Sequence, residues 1–405
     1  MNIKLQDEIV AESRLSVLTN QFDASIWGVD AHEVWAALRA TGPIFTTPSD
    51  MAVTATTEAV EAVLRQPNLF SSNPAAAYFG SESGSIPLQV DPPEHVAYRR
   101  LLDPLFAPKK MEAHEARVAA LCNELIDGFI ERGQCDFMAE FAMPLPSTIF
   151  LTMMGLSLDD LHDFLHAKEG MIRPEGADEA ERRIYQEKTA AWIFAYFNNA
   201  LDERAKDLKD DLLSWMIGLE QSGRLTRDET LNICLLLLAA GLDTVTDTLG
   251  CAFYFLAQHP GHQRQLEDDP SLMSAAVEEL LRHDTPVPSV TRIAMEDTEV
   301  EGCPIKAGQR VRVLLSQSNT DPAIYEDPDT VDFHREVNRH IAFGAGVHRC
   351  LGSHLARLEL RVAMREWHRR IPSYRLSDGF EVSFRQGLRE IVALPLEFTP
   401  GTRQS

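Results

Sequence analysis

A helix running from a cap at Thr226 to about His259 constrains this sequence more than any other feature. In Thr226-Arg-Asp-Glu229 the threonine and the glutamate three residues on can satisfy each other's backbone N–H groups, a capping box. Pro260 ends the helix, because the residue before a proline is biased away from helical geometry. About 32 residues at 1.5 Å each make a rod of roughly 48 Å, enough to cross a whole domain. Its middle is apolar on nearly every side, which requires burial all round. The strongest apolar run, Ile233 to Leu242, is too short for a membrane span and ends at Asp243, which would sit in hydrocarbon. The expectation is a fold assembled around this rod.

The remaining pattern is mainly α with a minor β part. Residues 94–282 and 351–370 read as mostly helical, with a helix over Ser271–Arg282 and a last one from Leu351 to about Arg370. The β-containing parts are 40–60, 290–316 and 375–398. Strands are expected at Ile44–Thr47 and Ala52–Thr56, with a helix over Glu58–Arg65. Val311, Val313 and Leu315 alternate with Arg310, Arg312 and Leu314, at a strand's period of two. No repeat or linker divides the chain, so residues 1–405 read as a single domain. Asn73–Pro93 is rich in Pro, Gly and Ser yet carries Tyr78, Phe79, Ile86 and Leu88, which favours a loop covering a pocket.

Charge narrows the partners. The 38 basic and 61 acidic side chains leave a formal charge of −23, which disfavours nucleic acid and anionic membranes. The first residues, MNIKLQDEIVAESRLSVLTNQF, lack the basic-then-apolar order of an export signal. Six cysteines (122, 135, 234, 251, 303 and 350) are scattered without a CxxC pair, as free thiols in a reducing compartment would be. A cytoplasmic protein is expected, with no membrane and no nucleic-acid partner.

One cysteine stands apart. Phe343-Gly-Ala-Gly-Val-His-Arg-Cys350-Leu-Gly352 joins a glycine-rich loop to the last long helix. Unpaired N–H groups and the positive dipole end at a helix start favour a thiolate, and such a sulfur suits iron. A lone cysteine there would read as buried and inert. The spacing Phe343-Gly344-x-Gly346-x-His348-x-Cys350-x-Gly352 resembles the heme-binding loop of the cytochrome P450 family, and further family motifs follow in order over most of the chain. The resemblance implies the P450 fold, with heme b between the long central helix and the cysteine-loop helix, and Cys350 as the iron ligand.

Glu279-Leu-Leu-Arg282 alone would be a surface pair worth a few tenths of a kcal/mol. It resembles the family's Glu-x-x-Arg motif, with Arg335 as third member, and the implied role is a buried structural network. In the central helix, Ala240-Gly241-Leu242-Asp243-Thr244 could be a tolerated kink, since Gly costs about 1 kcal/mol in a helix interior and Thr can bond back to a carbonyl. It resembles the family's oxygen-activation segment, in which Thr244 orders a proton-donating network and Asp243 relays protons. His95 and Arg99, four apart on one helix face, together with Arg292 and His348, match the family's heme-propionate ligands. Any one alone would read as a solvated charge. Phe343 and Gly352 complete the expected cofactor contacts.

Aligned to the family, Ile86, Leu88, Leu236, Ala239, Ala240, Val287, Val290 and Leu388 surround the distal pocket, although singly each could be ordinary core. The chain most resembles the camphor-hydroxylating branch, around Ile86-Pro87, Asp91-Pro92-Pro93 and Leu242-Asp243-Thr244. It has Ser83 and Val290 where that branch carries a tyrosine and an aspartate, which argues against camphor itself. The implied reaction is insertion of one oxygen atom from O2 into a lipophilic small molecule, with hydroxylation leading and terpenoids, norisoprenoids, steroids or alkylaromatics as substrates. Electrons would come from a separate 2Fe-2S ferredoxin and an NAD(P)H-dependent reductase. The ferredoxin would dock on the cysteine-side face at Arg99, Arg100, Lys109, Lys110, Arg349, Arg357 and Arg361, and the enzyme would be a monomer. The other reading is a non-catalytic heme-thiolate carrier or sensor. Arg389 and Glu390, after Leu388, have no role in either.

Overall fold

In the computed structural model, residues 31–47, 49–73, 85–172, 174–385 and 388–404 are described. The expected lid residues Tyr78 and Phe79, and Ser83, lie outside them.

The capping box forms: the Thr226 side chain accepts from Glu229 N, and the Glu229 carboxylate accepts from Thr226 N. Arg227–Gln258 is long and apolar enough to cross a membrane by composition, its most apolar 18-residue window having a mean hydropathy of 1.5, yet 72% of that window is buried inside the protein. The rod is not continuous. It divides into Arg227–Leu242 and Thr244–Gln258 at Asp243, whose φ of −97° departs from ideal helix. Thr244 Oγ1 donates to the Ala240 carbonyl at 3.2 Å, and Thr246 Oγ1 to the Leu242 carbonyl at 2.9 Å. Such back-bonding competes with the main-chain ladder and bends helices.

The second half of the rod anchors the core. Phe253 stacks on Phe137 with centroids 4.1 Å apart and meets Trp367 edge-on at 5.2 Å. Each such pair adds about 0.5–1.5 kcal/mol beyond the area it buries. Trp367 belongs to the last long helix, Ser353–Arg370, so the two helices that sandwich the expected cofactor share one aromatic cluster.

The main sheet runs in the order Ile44–Thr46, Ala52–Thr54, Arg310–Leu314, Ser289–Ala294, Phe70–Ser71. It is antiparallel except where Ala52 pairs with Val311 in parallel. Leu315 departs from the expected alternation: the strand stops at Leu314, and Leu315–Asn319 is a short helix. The helix expected over Ser271–Arg282 spans Met273–His283, because Pro270 opens a separate short turn ahead of it. A second sheet joins Gln134–Asp136, Pro395–Phe398 and Tyr374–Leu376. The architecture is mainly helical with minor sheets, as expected.

Candidate active site

The cysteine loop is built on backbone geometry. Gly344 and Gly346 have φ of +69° and +70°, and a Cβ on Gly346 would collide with the Leu64 carbonyl oxygen. Cys350 N donates to the Phe343 carbonyl at 2.8 Å, closing the loop on itself. The helix starts at Ser353 with Gly352 as its cap, later than the expected Leu351. Cys350 therefore precedes the helix. Burial pushes its thiol up, and this outweighs the Gly352 N–H and the charges of Arg99, Arg349 and Arg357. The helix start does not make Cys350 a thiolate by itself; a coordinated metal deprotonates a thiol outright. Cys350 nevertheless has accessible surface, whereas Cys122, Cys135, Cys234 and Cys251 are buried. A side chain that pays desolvation and still has accessible surface faces an internal void.

The distal helix shows the same signature. Within the otherwise buried run from Thr230 to Leu238, only Leu237 is half-buried, and then Ala239 opens and Ala240 is exposed. Gly241 and Thr244 are half-buried, while Asp243 is 2% exposed. A Cβ on Gly241 would come within 3.1 Å of the Phe150 ring, so this turn also packs closely on its far side.

Beside the loop, positive groups collect. The His95 and His348 rings lie 4.1 Å apart, and Ser72 Oγ lies 3.2 Å from His348 Nε2. Burial, then the charges of Arg292, His95 and Arg99, hold His348 down to about 3. Burial pulls Arg292 down to about 10, against the attraction of Asp91. Asp91 is itself engaged: Ser71 Oγ donates to it, and so does Ser72 N at 2.8 Å. Arg99 pairs with Asp103 at 2.7 Å and donates to the Arg349 carbonyl at 2.7 Å, tying this helix to the loop. His95 Nδ1 is buried with no hydrogen-bond partner among the described residues. The buried Arg292 guanidinium and the His95 Nδ1 left without a partner among the described residues are polar groups that the carboxylates of a heme fit.

Glu279 is the opposite case. Its carboxylate takes Arg282 bidentately at 2.8 Å, Arg335 Nε at 3.0 Å, Asn338 Nδ2 at 3.0 Å and Asp332 N at 3.0 Å. Arg282, 0% exposed, also donates to the carbonyls of Asn319, Pro328 and Thr330. The expected network of Glu279, Arg282 and Arg335 is thus assembled, and it holds the segment leading to the cysteine loop.

Sequence reasoning missed the neighbouring Glu278. It accepts from Arg357 Nε at 2.6 Å and pairs with His340 at 2.9 Å. Burial alone would raise its carboxyl, but His340 and Arg357 hold it at about 2. Arg357 also lies 4.3 Å over the Phe343 ring, so Phe343 braces the loop through a cation–π contact. A neighbour in sequence to the Glu-x-x-Arg motif was the only signal available. The same contacts thin the expected docking patch, since Arg357 is neutralised by Glu278, Arg361 by Glu115 and Arg99 by Asp103. Arg100 and Arg349 are exposed.

The expected substrate contacts divide. Ala239, Ala240 and Val287 have accessible surface, and Leu388 is half-buried. Ile86 and Leu236 are buried at 7% and 9%, while Leu88 is 42% exposed. Val290 sits in the main sheet opposite Val313 and packs on that sheet's apolar cluster.

Similarity to known proteins agrees with this geometry. Residues 175–367 match the family model described as Cytochrome P450. The chain is 33% identical to the steroid C26-monooxygenase of Mycobacterium tuberculosis over 92% of its own length and 94% of that protein. The fold resembles CYP109E1 of Bacillus megaterium, solved with testosterone, at a TM-score of 0.84 and 26% identity over 90% of this chain and 97% of that one. It also resembles the myxobacterial CYP267B1, solved with myristic acid, at a TM-score of 0.86 and 29% identity over 94% and 98%. Identity at this level along nearly the whole of both chains shows that the protein belongs to the cytochrome P450 family of heme b monooxygenases.

Proposed function

We propose that Cys350 ligates the heme iron and that this enzyme hydroxylates a lipophilic molecule of terpenoid, norisoprenoid, steroid or alkylaromatic type. The observation that carries the reading is the buried Arg292 guanidinium and the closely packed His95 and His348 rings, with Arg99 at their edge, beside an accessible, otherwise desolvated cysteine. His95, Arg99, Arg292 and His348 hold the two propionates, and Phe343 and Gly352 shape the cysteine side. Glu279, Arg282 and Arg335 fix that side without touching substrate. Bound there, the heme supplies the redox chemistry that places one atom of O2 in the substrate and releases the other as water, consuming two electrons and two protons.

The chain's own part is to move protons and exclude water. Asp243, buried beside the helix break, passes protons inward to the Thr244 hydroxyl, whose Oγ1 now rests on the Ala240 carbonyl. Ala239, Ala240, Val287, Leu236, Leu388, Ile86, Leu88 and Val290 are the proposed substrate contacts, and their aliphatic character suits recognition by shape. The steroid named for one relative and the testosterone and fatty acid seen with two others support a lipophilic substrate. The single domain works as a cytoplasmic monomer, fed by a 2Fe-2S ferredoxin that docks on the cysteine-side face around Arg100 and Arg349. Reversing both charges should slow reduction and flatten its salt dependence; unchanged kinetics would remove this docking face.

The test reconstitutes the holoenzyme with ferredoxin, reductase, NAD(P)H and 18O2 over a panel of lipophilic compounds. One 18O atom per product molecule is expected, with Asp243→Asn lowering turnover by about 10²-fold. A reduced heme that yields no product from any spin-shifting compound would indicate a carrier or sensor instead.

A further inference from the structure

Away from the cysteine loop, three segments remote in sequence meet at a second cluster of ligating groups. His32 comes from the first described helix, Ala31–Arg39; His283 and Asp284 close the helix Met273–His283; and Arg389 comes from the turn after Leu388. His283 Nδ1 lies 2.9 Å from Asp284 Oδ2, and His32 Nε2 lies 4.0 Å from Asp284 Oδ1. One ligand atom from each of the three residues falls within 4.8 Å of the others. We propose that His32, His283 and Asp284 bind a divalent transition ion of the zinc class, independently of the heme.

The tautomer of His32 points to this. Asp329 Oδ1 lies 3.2 Å from His32 Nδ1 and accepts a hydrogen bond from its N–H. That leaves Nε2 as the lone-pair nitrogen, and Nε2 is buried with no hydrogen-bond partner among the described residues. A carboxylate orienting one ring nitrogen while the other faces a ligand is the usual outer support of a metal-bound histidine. Zinc bonds of about 2.0–2.2 Å place ligand atoms roughly 3–3.5 Å apart, so side-chain rotations of under an ångström close the site. Two imidazoles and one carboxylate favour zinc and its transition-metal neighbours over calcium or magnesium, which prefer oxygen.

The surroundings leave room for a fourth ligand. A cavity of about 150 Å³ opens on His32, His283 and Asp284, and Cys251 also lines it. The Cys251 thiol is turned to the Arg389 carbonyl at 3.3 Å, so water is the fourth ligand the geometry favours. Arg389 opposes the ion: its Nη2 pairs with Asp284 Oδ1 at 2.6 Å. The charge opposing the ion thus sits on the turn that follows Leu388, which couples occupancy of the site to that turn.

The experiment uses the full-length heme-loaded protein, stripped with a chelator and titrated calorimetrically with zinc chloride in phosphate-free buffer. One ion per chain is expected, with X-ray absorption at the zinc edge showing two imidazoles and oxygen ligands. His32→Ala and His283→Phe should each weaken binding at least about tenfold, as loss of a ligand or its orienting partner commonly does. Their intact folds are checked by an unchanged heme absorption spectrum. Arg389→Met should tighten binding by freeing Asp284 Oδ1. Equal affinity in wild type, His32→Ala and His283→Phe, or a zinc edge with fewer than two imidazoles, would overturn the site.

Discussion

Two clusters of cationic side chains serve the segment around Cys350, and the chain completes only one of them. Around Glu279, each lone pair of the carboxylate has a donor, and the charges of Arg282 and Arg335 are met by one acid and by main-chain carbonyls. Around His348, buried Arg292 and the His95 ring face it, Arg99 is already held by Asp103, and Asp91 is occupied by Ser71 and Ser72. A balanced network needs nothing added and is architecture. An unbalanced one is a seat for a ligand of opposite charge.

Removing Glu279 should have the largest effect. Glu279→Ala strands Arg282, which is 0% exposed, and breaking a buried pair from one side costs about 3–5 kcal/mol. The expected result is failure to accumulate folded, heme-loaded protein, read by soluble yield and by urea unfolding of whatever remains. A variant as stable as wild type would dissolve the distinction between the clusters.

Arg292→Met should act with the opposite sign on the two forms of the protein. The heme-free chain loses a buried, weakened cation and should be no less stable in urea. The holoprotein loses a charge-assisted contact of about 1.5–3 kcal/mol, which is roughly 10–150-fold in heme retention. Transfer of heme to an excess of apomyoglobin measures it. Equal destabilisation of both forms would place Arg292 with the architecture.

Glu278→Gln tests the balanced side more gently. Its folded carboxyl is depressed to about 2, so its stabilisation is present above the ordinary carboxylate range and is lost as pH falls from about 4.5 to about 2. The pair with Arg357 is partly exposed, which limits its worth to about 1 kcal/mol. The variant should be less stable at neutral pH by about that amount and should show a shallower acid transition between those limits. An acid transition identical to that of wild type would remove Glu278 from the frame.

The contrast explains what could be read from the sequence. The central rod was legible because its cap, its proline stop and its unbroken apolarity are local signals, whereas its break at Asp243 was visible only as a glycine and a threonine that could bend it. The Cys350 loop was legible because glycines with positive φ leave a spacing. The helix start was placed two residues early, since nothing local distinguishes a turn at Leu351 from the first turn at Ser353. What the sequence does not carry is that burial of Cys350 outweighs the pull of nearby N–H groups and arginines, so the expected thiolate is completed by the metal and not by the helix start. Glu278, His340 and Arg357 went unread because their pairing spans segments far apart in the chain. The partners of Arg361 and Arg357 in the expected docking patch are hidden for the same reason, because Glu115 and Glu278 reach them from other helices.

The most direct test is the carbon-monoxide difference spectrum of the reduced holoprotein, compared with that of Cys350→His. Wild type is expected to give the long-wavelength band of a thiolate-bound heme, and Cys350→His the shorter-wavelength band of an imidazole-bound one with heme still retained by His95, Arg99, Arg292 and His348. A long-wavelength band that persists in Cys350→His would assign the iron to another cysteine and contradict the site.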